Sequence, residues 1–545
     1  MSEPPFSRRD LIRWSAIGAG VAPLAVWLSG CDAVSDRTKA QPRPRESVAG
    51  VPTPQADAAV TPSSTSPSST ESTGVYEQLD SVAATAAPST SPATAPPVSA
   101  FDSTRPWWMQ GDFAPVRNEV EAADLAVLGA IPPELNGLYV RNGSNPSHGD
   151  SPHWFFGDGM VHGVRLAGGS ATSYRNRYVR TSMFLSGAGF GQGAPGGASN
   201  QSNISCLWHA GRLLTSGEVG LPYELDPDDL STRGVYDFGA NLTTAFTAHP
   251  KIDPATGRLH FFGYGFTPPY LTYHIAEANG TLVHSEVVDI PRSTMIHDFA
   301  ITDSDAIFWD LPVVFDLDAA VRYISDPSNG TFPYRWSPDA GARIGVMPLA
   351  GGATSIRWFD IDPCYVFHGV NAFRRDGNVV IDVCRLSSMF SPKEVFGGEL
   401  SLRRWTLDMH RGTVSDAVVA DRDPGELPNR DPRLVGRPYR YGYFVGTRTN
   451  EHTVDFSGLI KHDYATGVRQ TWTPPAHQHA GEWLFVPAGK DEDAGYLLTY
   501  LYDDADDVSQ LVIVDATAVG NGPVARITLP QRVPYGFHAT WVPTT

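Results

Sequence analysis

The sequence predicts an all-β fold, and three observations carry that prediction. Short runs of alternating apolar residues recur after position 106, among them "GRLHFFGYGF", "GNVVIDVCRL" and "AGYLLTYLYDDADDVSQLVIVDA". Turn chemistry separates them: "EANGTL" places Asn279-Gly280 where a tight hairpin needs positive φ. Helical patterns are few, and "LDAAVRY" (317–323) reads as a short helix. Strands this regular from 106 to 545 suit a barrel, a sandwich array or a propeller. No clean internal repeat fixes a blade count. Division into seven blades allots about 60 residues to each, with room for long inserts.

Composition narrows the function classes. The chain has 545 residues, 11% aromatic and only 18% charged, so it can bury a large core. Its formal charge is −18, nearly all of it after residue 105. An acidic body argues against nucleic acid as a partner, because that binding rests on phosphate neutralisation.

The N-terminus reads as an address rather than as fold. "SRRDLIRW" holds the pair Arg8-Arg9, and residues 14–30 form an apolar run too short for a membrane span. The run ends in "LSGC", which resembles a bacterial lipobox with Cys31 as the acylated residue. Residues 1–31 are therefore expected to be a Tat-type lipoprotein signal. Residues 32–105 are Ser, Thr, Pro and Ala with few large apolar side chains, which predicts a disordered linker. The folded body is expected over 106–545, beginning near "RPWWMQGDFAPV". The whole predicts an exported bacterial protein, lipid-anchored to the outer face of the cytoplasmic membrane. Cys206, Cys364 and Cys384 follow Cys31 with no clustered spacing, so they read as buried thiols rather than a disulfide or zinc framework.

The histidines carry the chemistry. Sixteen are present, and most have ordinary settings. His410, His452 and His462 have polar neighbours and read as exposed, and His477 and His479 form an HxH pair on one strand face. Four others border apolar or aromatic runs: His249 in "FTAHPKID", His297 in "MIHDFAIT", His368 in "YVFHGVNAF" and His538 in "YGFHATWV". Any one alone is more often a satisfied core residue. Together, 48, 71 and 170 residues apart, they can meet only if a closed ring of blades brings their strands to one axis. Four neutral imidazoles suit divalent iron, zinc or copper. Such ligands want carboxylates on their other ring nitrogen, and Glu218, Glu426 and Glu482 stand in apolar contexts that allow it.

The chain resembles the carotenoid cleavage oxygenases, the retinal pigment epithelial membrane protein-like family. The likeness runs from about 110 to 545 through "LNGLYVRNGSNP", "HWFFGDGMVHGV", "AHPKIDPATGRLHFFGY", "MIHDFAIT", "FWDLPV", "CYVFHGVNAF", "GRPYRYGY" and "GFHATWVP". The resemblance implies a seven-bladed β-propeller, with loops and short helices capping one face over an axial metal site. It implies Fe(2+) held by His249, His297, His368 and His538. Glu218, Glu426 and Glu482 then orient three of those histidines, and the first lacks such a partner. The implied reaction is insertion of O2 across a conjugated C=C bond of a carotenoid or apocarotenoid, with no catalytic residue beyond the metal site.

Departures from the family bear on substrate. Stilbene-cleaving members tend to carry lysine just before the first glutamate, where this chain has Gly217; Ile204 stands where some members have threonine near iron. Cleavage of a stilbene or lignin-derived phenolic is the alternative within the fold, and a non-catalytic surface propeller is the alternative outside enzymology. A lipid anchor fits an apolar substrate dissolved in a membrane. Asp158 in "FFGDGM" is expected to cap backbone, Arg437 and Arg440 to pair with carboxylates between blades, and "RPWW" to pack apolar surface or face the membrane.

Overall fold

The computed structural model describes residues 102, 104–188, 197, 199–325, 332–391, 397–449 and 454–544. The signal segment with Cys31, nearly all of the predicted linker, His452 and much of the glycine-rich stretch after Leu185 lie outside the described residues. The body opens with a 3-10 turn at Trp107–Met109, where the sequence places its start.

Among the described residues the strands form seven blades and one separate two-stranded ribbon, Val313–Phe315 with Tyr334–Trp336. The second to sixth blades are four-stranded antiparallel sheets that run outward in chain order from the axis. Their innermost strands are Ser205–His209, Lys251–Ile252, Phe299–Ile301, Tyr365–Arg375 and Glu426–Asn429.

The ring closes by exchange of its two ends. The C-terminal strand Ala539–Pro543 becomes the inner strand of the first blade, pairing with Gly137–Ser144 in the register Arg141↔Ala539. The early strand Val127–Gly129 becomes the outer strand of the seventh blade, pairing with Pro523–Thr528. Closure removes the open edges that a sheet otherwise presents.

Local sequence explains the strands. "NVVIDVCRL" in Asn378–Leu386 is β-branched and buried over most of its length, because neighbouring blades cover both its faces. The "EANGTL" turn joins Leu271–Ala276 to Leu282–Val287, and Gly280 has φ +85° as the turn requires. The predicted helix spans Leu317–Ser325. The core lies between blades, with Trp309, Trp405 and Trp483 fully buried.

Buried polar groups staple blade to blade. Arg374 of the fifth blade grips Asp305 of the fourth through Nε and Nη2 at 2.7 and 2.6 Å. The Lys461 ammonium of the sixth blade reaches Asp493 beside the seventh at 2.6 Å. Asp158 caps backbone as expected, accepting from Ser147 N at 2.9 Å. Trp107 packs edge-on against Phe113 and Trp154, so "RPWW" contributes to packing.

Two expectations need correction. His462 is 3% exposed, not a surface residue. It sits edge-on to Tyr464, and burial pushes its imidazole down to about 4. Arg440 pairs with Asp463 within its own sheet rather than between blades, while Arg437 does cross, reaching Asp253 at 3.7 Å. Cys206, Cys364 and Cys384 are free and buried, as expected.

Candidate metal centre

The inner end of each blade delivers one residue to the axis. Ile204 immediately precedes its strand, His249 and His297 stand two residues before theirs, and His538 one residue before Ala539–Pro543. His368 lies inside Tyr365–Arg375, where two register shifts flank Gly369 and turn the strand. Glu426 begins its strand, and Glu482 lies between Gln478–Ala480 and Leu484–Pro487 of the seventh blade. Glu218 comes from the loop after Arg212–Ser216 of the second.

The four histidines converge. One ring nitrogen from each of His249, His297, His368 and His538 lies within 4.8 Å of the others. The Nε2 atoms of His249 and His297 are 2.9 Å apart. His249 stands edge-on to His368 and His538, with centroids 5.1 and 4.4 Å away.

Each expected glutamate is found behind its imidazole. His297 Nδ1 meets Glu218 Oε1 at 2.8 Å, His368 Nδ1 meets Glu426 Oε2 at 2.7 Å, and His538 Nδ1 meets Glu482 Oε1 at 3.0 Å. A carboxylate at Nδ1 holds the proton there and leaves the Nε2 lone pair pointing at the axis. Among the described residues, no glutamate is paired with His249. His368 Nε2 is buried and has no hydrogen-bond partner, the signature of a lone pair aimed at an ion. Burial, with the neighbouring imidazoles adding, holds His249 and His368 well below the usual histidine range, so both are neutral. The residues fit a divalent transition metal: four converging imidazole nitrogens with three glutamates set behind them.

Backbone strain helps to aim Glu426. Leu427 has φ 49°, and its N–H donates to Glu426 Oε2. A non-glycine residue in this conformation costs about 1–3 kcal/mol, which the surrounding blades must offset. Burial pushes the Glu426 carboxyl up to about 7.

A cavity opens over one side of the cluster. His297, His368, His538 and Ile204 form its floor, and Trp154, Phe155, Phe367, Phe456, Phe537 and Met295 line its wall. The other side faces a polar passage containing Lys251, Asp298 and Arg430. Asp298 went unrecognised as a candidate in the sequence. Its Oδ1 accepts from Lys251 Nζ at 2.6 Å and its Oδ2 from Gly369 N at 2.8 Å, which ties three adjacent blades together beside the metal site. The cavity aromatics left one readable trace, the "FH" pairs at 367–368 and 537–538.

Comparison with known proteins decides the family. The sequence pattern of the retinal pigment epithelial membrane protein family matches residues 113–543. The chain belongs to this family. A carotenoid cleavage oxygenase of Mycobacterium tuberculosis is 37% identical over 501 residues, covering 82% of this chain and 99% of that protein. The crystal structure of Pseudomonas brassicacearum lignostilbene dioxygenase superposes with a TM-score of 0.72 at 30% identity, covering 81% of this chain and 99% of that one. A variant of Synechocystis apocarotenoid oxygenase superposes with a TM-score of 0.71 at 28% identity, covering 79% and 97%. Like these relatives, this family member is an oxidoreductase of the dioxygenase type.

Proposed function

We propose that His249, His297, His368 and His538 hold one iron(II), and that the protein uses O2 to cleave a conjugated C=C bond of a carotenoid or apocarotenoid. One oxygen atom goes to each alkene carbon, so the products are two carbonyl fragments, aldehyde or ketone. When bound by these four imidazoles, iron would supply O2 activation. The four imidazoles add no charge, so the ion keeps its full positive charge. Glu218, Glu426 and Glu482 keep three imidazoles oriented and their Nδ1 protons in place. Phe155, Phe367 and Phe537 present ring faces and edges to a flat polyene and exclude water from the reacting bond.

The observation that carries this reading is the apolar aromatic cavity set directly on the imidazole floor. Its only carboxylates among the described residues, Glu218 and Glu426, are engaged by histidine. A polyene needs shape and dryness rather than hydrogen-bonding partners. Incubation of iron-loaded protein with carotenoids, apocarotenoids and stilbenes under 18O2, with product masses read, tests the proposal. Paired carbonyl fragments from a polyene support it. Cleavage of stilbenes alone supports the second reading, which the likeness to the lignostilbene enzyme favours and Gly217 disfavours. No O2 consumption with any substrate leaves a binding propeller.

The N-terminal sequence motivates a location. The Arg8-Arg9 pair, the apolar run 14–30 and "LSGC" support folded export and acylation at Cys31, with 32–105 as the tether to a catalytic body over 106–545. An anchor would hold the cavity near a membrane-dissolved substrate. Cys31→Ala is expected to move the protein from the membrane fraction to the soluble fraction; unchanged partitioning contradicts acylation there.

A further inference from the structure

In the polar passage beside the imidazoles, two cations share one carboxylate. Lys251 opens the inner strand of the third blade, Asp298 stands just before that of the fourth, and Arg430 just after Glu426–Asn429 of the sixth. Lys251 Nζ donates to Asp298 Oδ1 at 2.6 Å, and the two side chains are 14% and 2% exposed. Arg430 has no such partner. Among the described residues its guanidinium makes no hydrogen bond or ion pair, and its Nε is buried. Burial holds it below the usual arginine range, and the nearby Tyr439, Asp298 and Asp431 only partly offset that.

Free donors face the passage, while its carboxylates are engaged. Asn429 Oδ1 accepts from Arg430 N at 3.0 Å and from Phe485 N at 3.2 Å, which leaves the Nδ2 amide as an unused donor. The Lys251 ammonium gives one N–H to Asp298 and keeps the others. Asp298 accepts from Lys251 Nζ and Gly369 N, and Glu482 is turned to His538 Nδ1 and Ala539 N. A shielded cation without a counter-charge is costly, and a bound anion removes that cost. The chain as a whole carries −18, so a site rich in cationic donors is a local arrangement and not a property of the surface.

The donor geometry selects the kind of anion. A guanidinium presents a planar fork that a carboxylate matches with both oxygens, and an ammonium and an amide beside it add point donors. One unmatched cation calls for a monoanion. We propose that Lys251, Asn429 and Arg430 bind one small carboxylate-type oxyanion, bicarbonate or a short organic carboxylate, in this passage. His368 and His538 line both the passage and the aromatic cavity, so the anion stands across the imidazoles from the aromatic wall. There it adds a negative charge beside the histidine cluster without entering the apolar side.

The test titrates iron-loaded full-length protein separately with 13C-acetate and 13C-bicarbonate at fixed ionic strength, and reads binding from the 13C line width. Saturable binding of at least one is expected, and the arm that saturates at lower concentration identifies the source. Arg430→Gln removes the fork. Asn429→Asp keeps the oxygen that serves Arg430 N and Phe485 N but replaces the free donor with a carboxylate oxygen. Each is expected to weaken binding by about tenfold or more while iron content stays unchanged. No saturable binding of either anion, binding that Arg430→Gln leaves intact, or equal displacement by chloride overturns the proposal. If the variants fold poorly, crystals of the unaltered protein grown with sodium acetate decide. Acetate seated on Arg430 supports the site, and water alone there overturns it.

Discussion

His297 Nδ1 lies 2.8 Å from Glu218 Oε1, although 79 residues separate them in the chain. The contact spans from the second blade to the fourth, past the third between them. Likewise Glu426 of the sixth blade reaches His368 of the fifth, and closure of the ring brings Glu482 of the seventh to His538 of the first.

In the proposed centre these glutamates hold the imidazoles in the ligating tautomer, so their loss should appear first in metal affinity. Glu218→Gln, Glu426→Gln and Glu482→Gln are each expected to weaken iron binding by about 10–100-fold. Competition with a chelator measures this. Wild-type affinity in all three variants would contradict the orienting role.

The aromatic wall should act on catalysis without touching the metal. Phe155→Ala is expected to lower kcat/KM for a polyene by about 100-fold, through loss of alignment over the metal. Iron content should stay at the wild-type value. Unchanged turnover would place the substrate elsewhere.

Asp382 is fully buried in the fifth blade, gripped by Arg404 at 2.7 and 2.8 Å and by the Tyr439 hydroxyl at 2.7 Å. Arg404→Ala leaves that carboxylate without its cation. The expected cost is about 3 kcal/mol of folding stability, read by denaturant titration. A loss within experimental error of zero would show that solvent reaches Asp382.

Two buried histidines of the third blade set a pH dependence. His260 bonds Tyr273, and His274 bonds Thr244 and Ser285; burial pushes both imidazoles down to about 4. The unfolded chain binds these protons near pH 6.5, and the folded chain does not until about pH 4. Stability is therefore fully present above pH 6.5 and is lost as pH falls toward 4, by about 1.4 kcal/mol per pH unit for each histidine. His274→Gln should make the decline between pH 6 and 5 shallower by about that amount, as read by denaturant midpoints. An equal slope in the variant would contradict this assignment.

Much of the centre was legible in the sequence because its parts are local. A histidine beside an apolar strand start is visible four times, and three glutamates in apolar settings are visible beside them. What lies between distant segments was not. Asp298 reads as an ordinary acid until the ring places Lys251 and Gly369 against it. His462 was misread because Lys461 and Asp463 flank it. In the blade all three are buried, since neighbouring sheets and paired charges cover a strand that looks solvent-facing by composition. Of the HxH pair only His479 lies on a strand, Gln478–Ala480; His477 stands in the turn before it, and the two rings face different carboxylates supplied by other segments.

The account stands on one ion shared by His249, His297, His368 and His538. Iron content per chain in purified wild type and His297→Ala, with near-wild-type circular dichroism as the control for folding, tests it most directly. One iron in the wild type and almost none in the variant is the predicted result. Full iron occupancy in His297→Ala would contradict it.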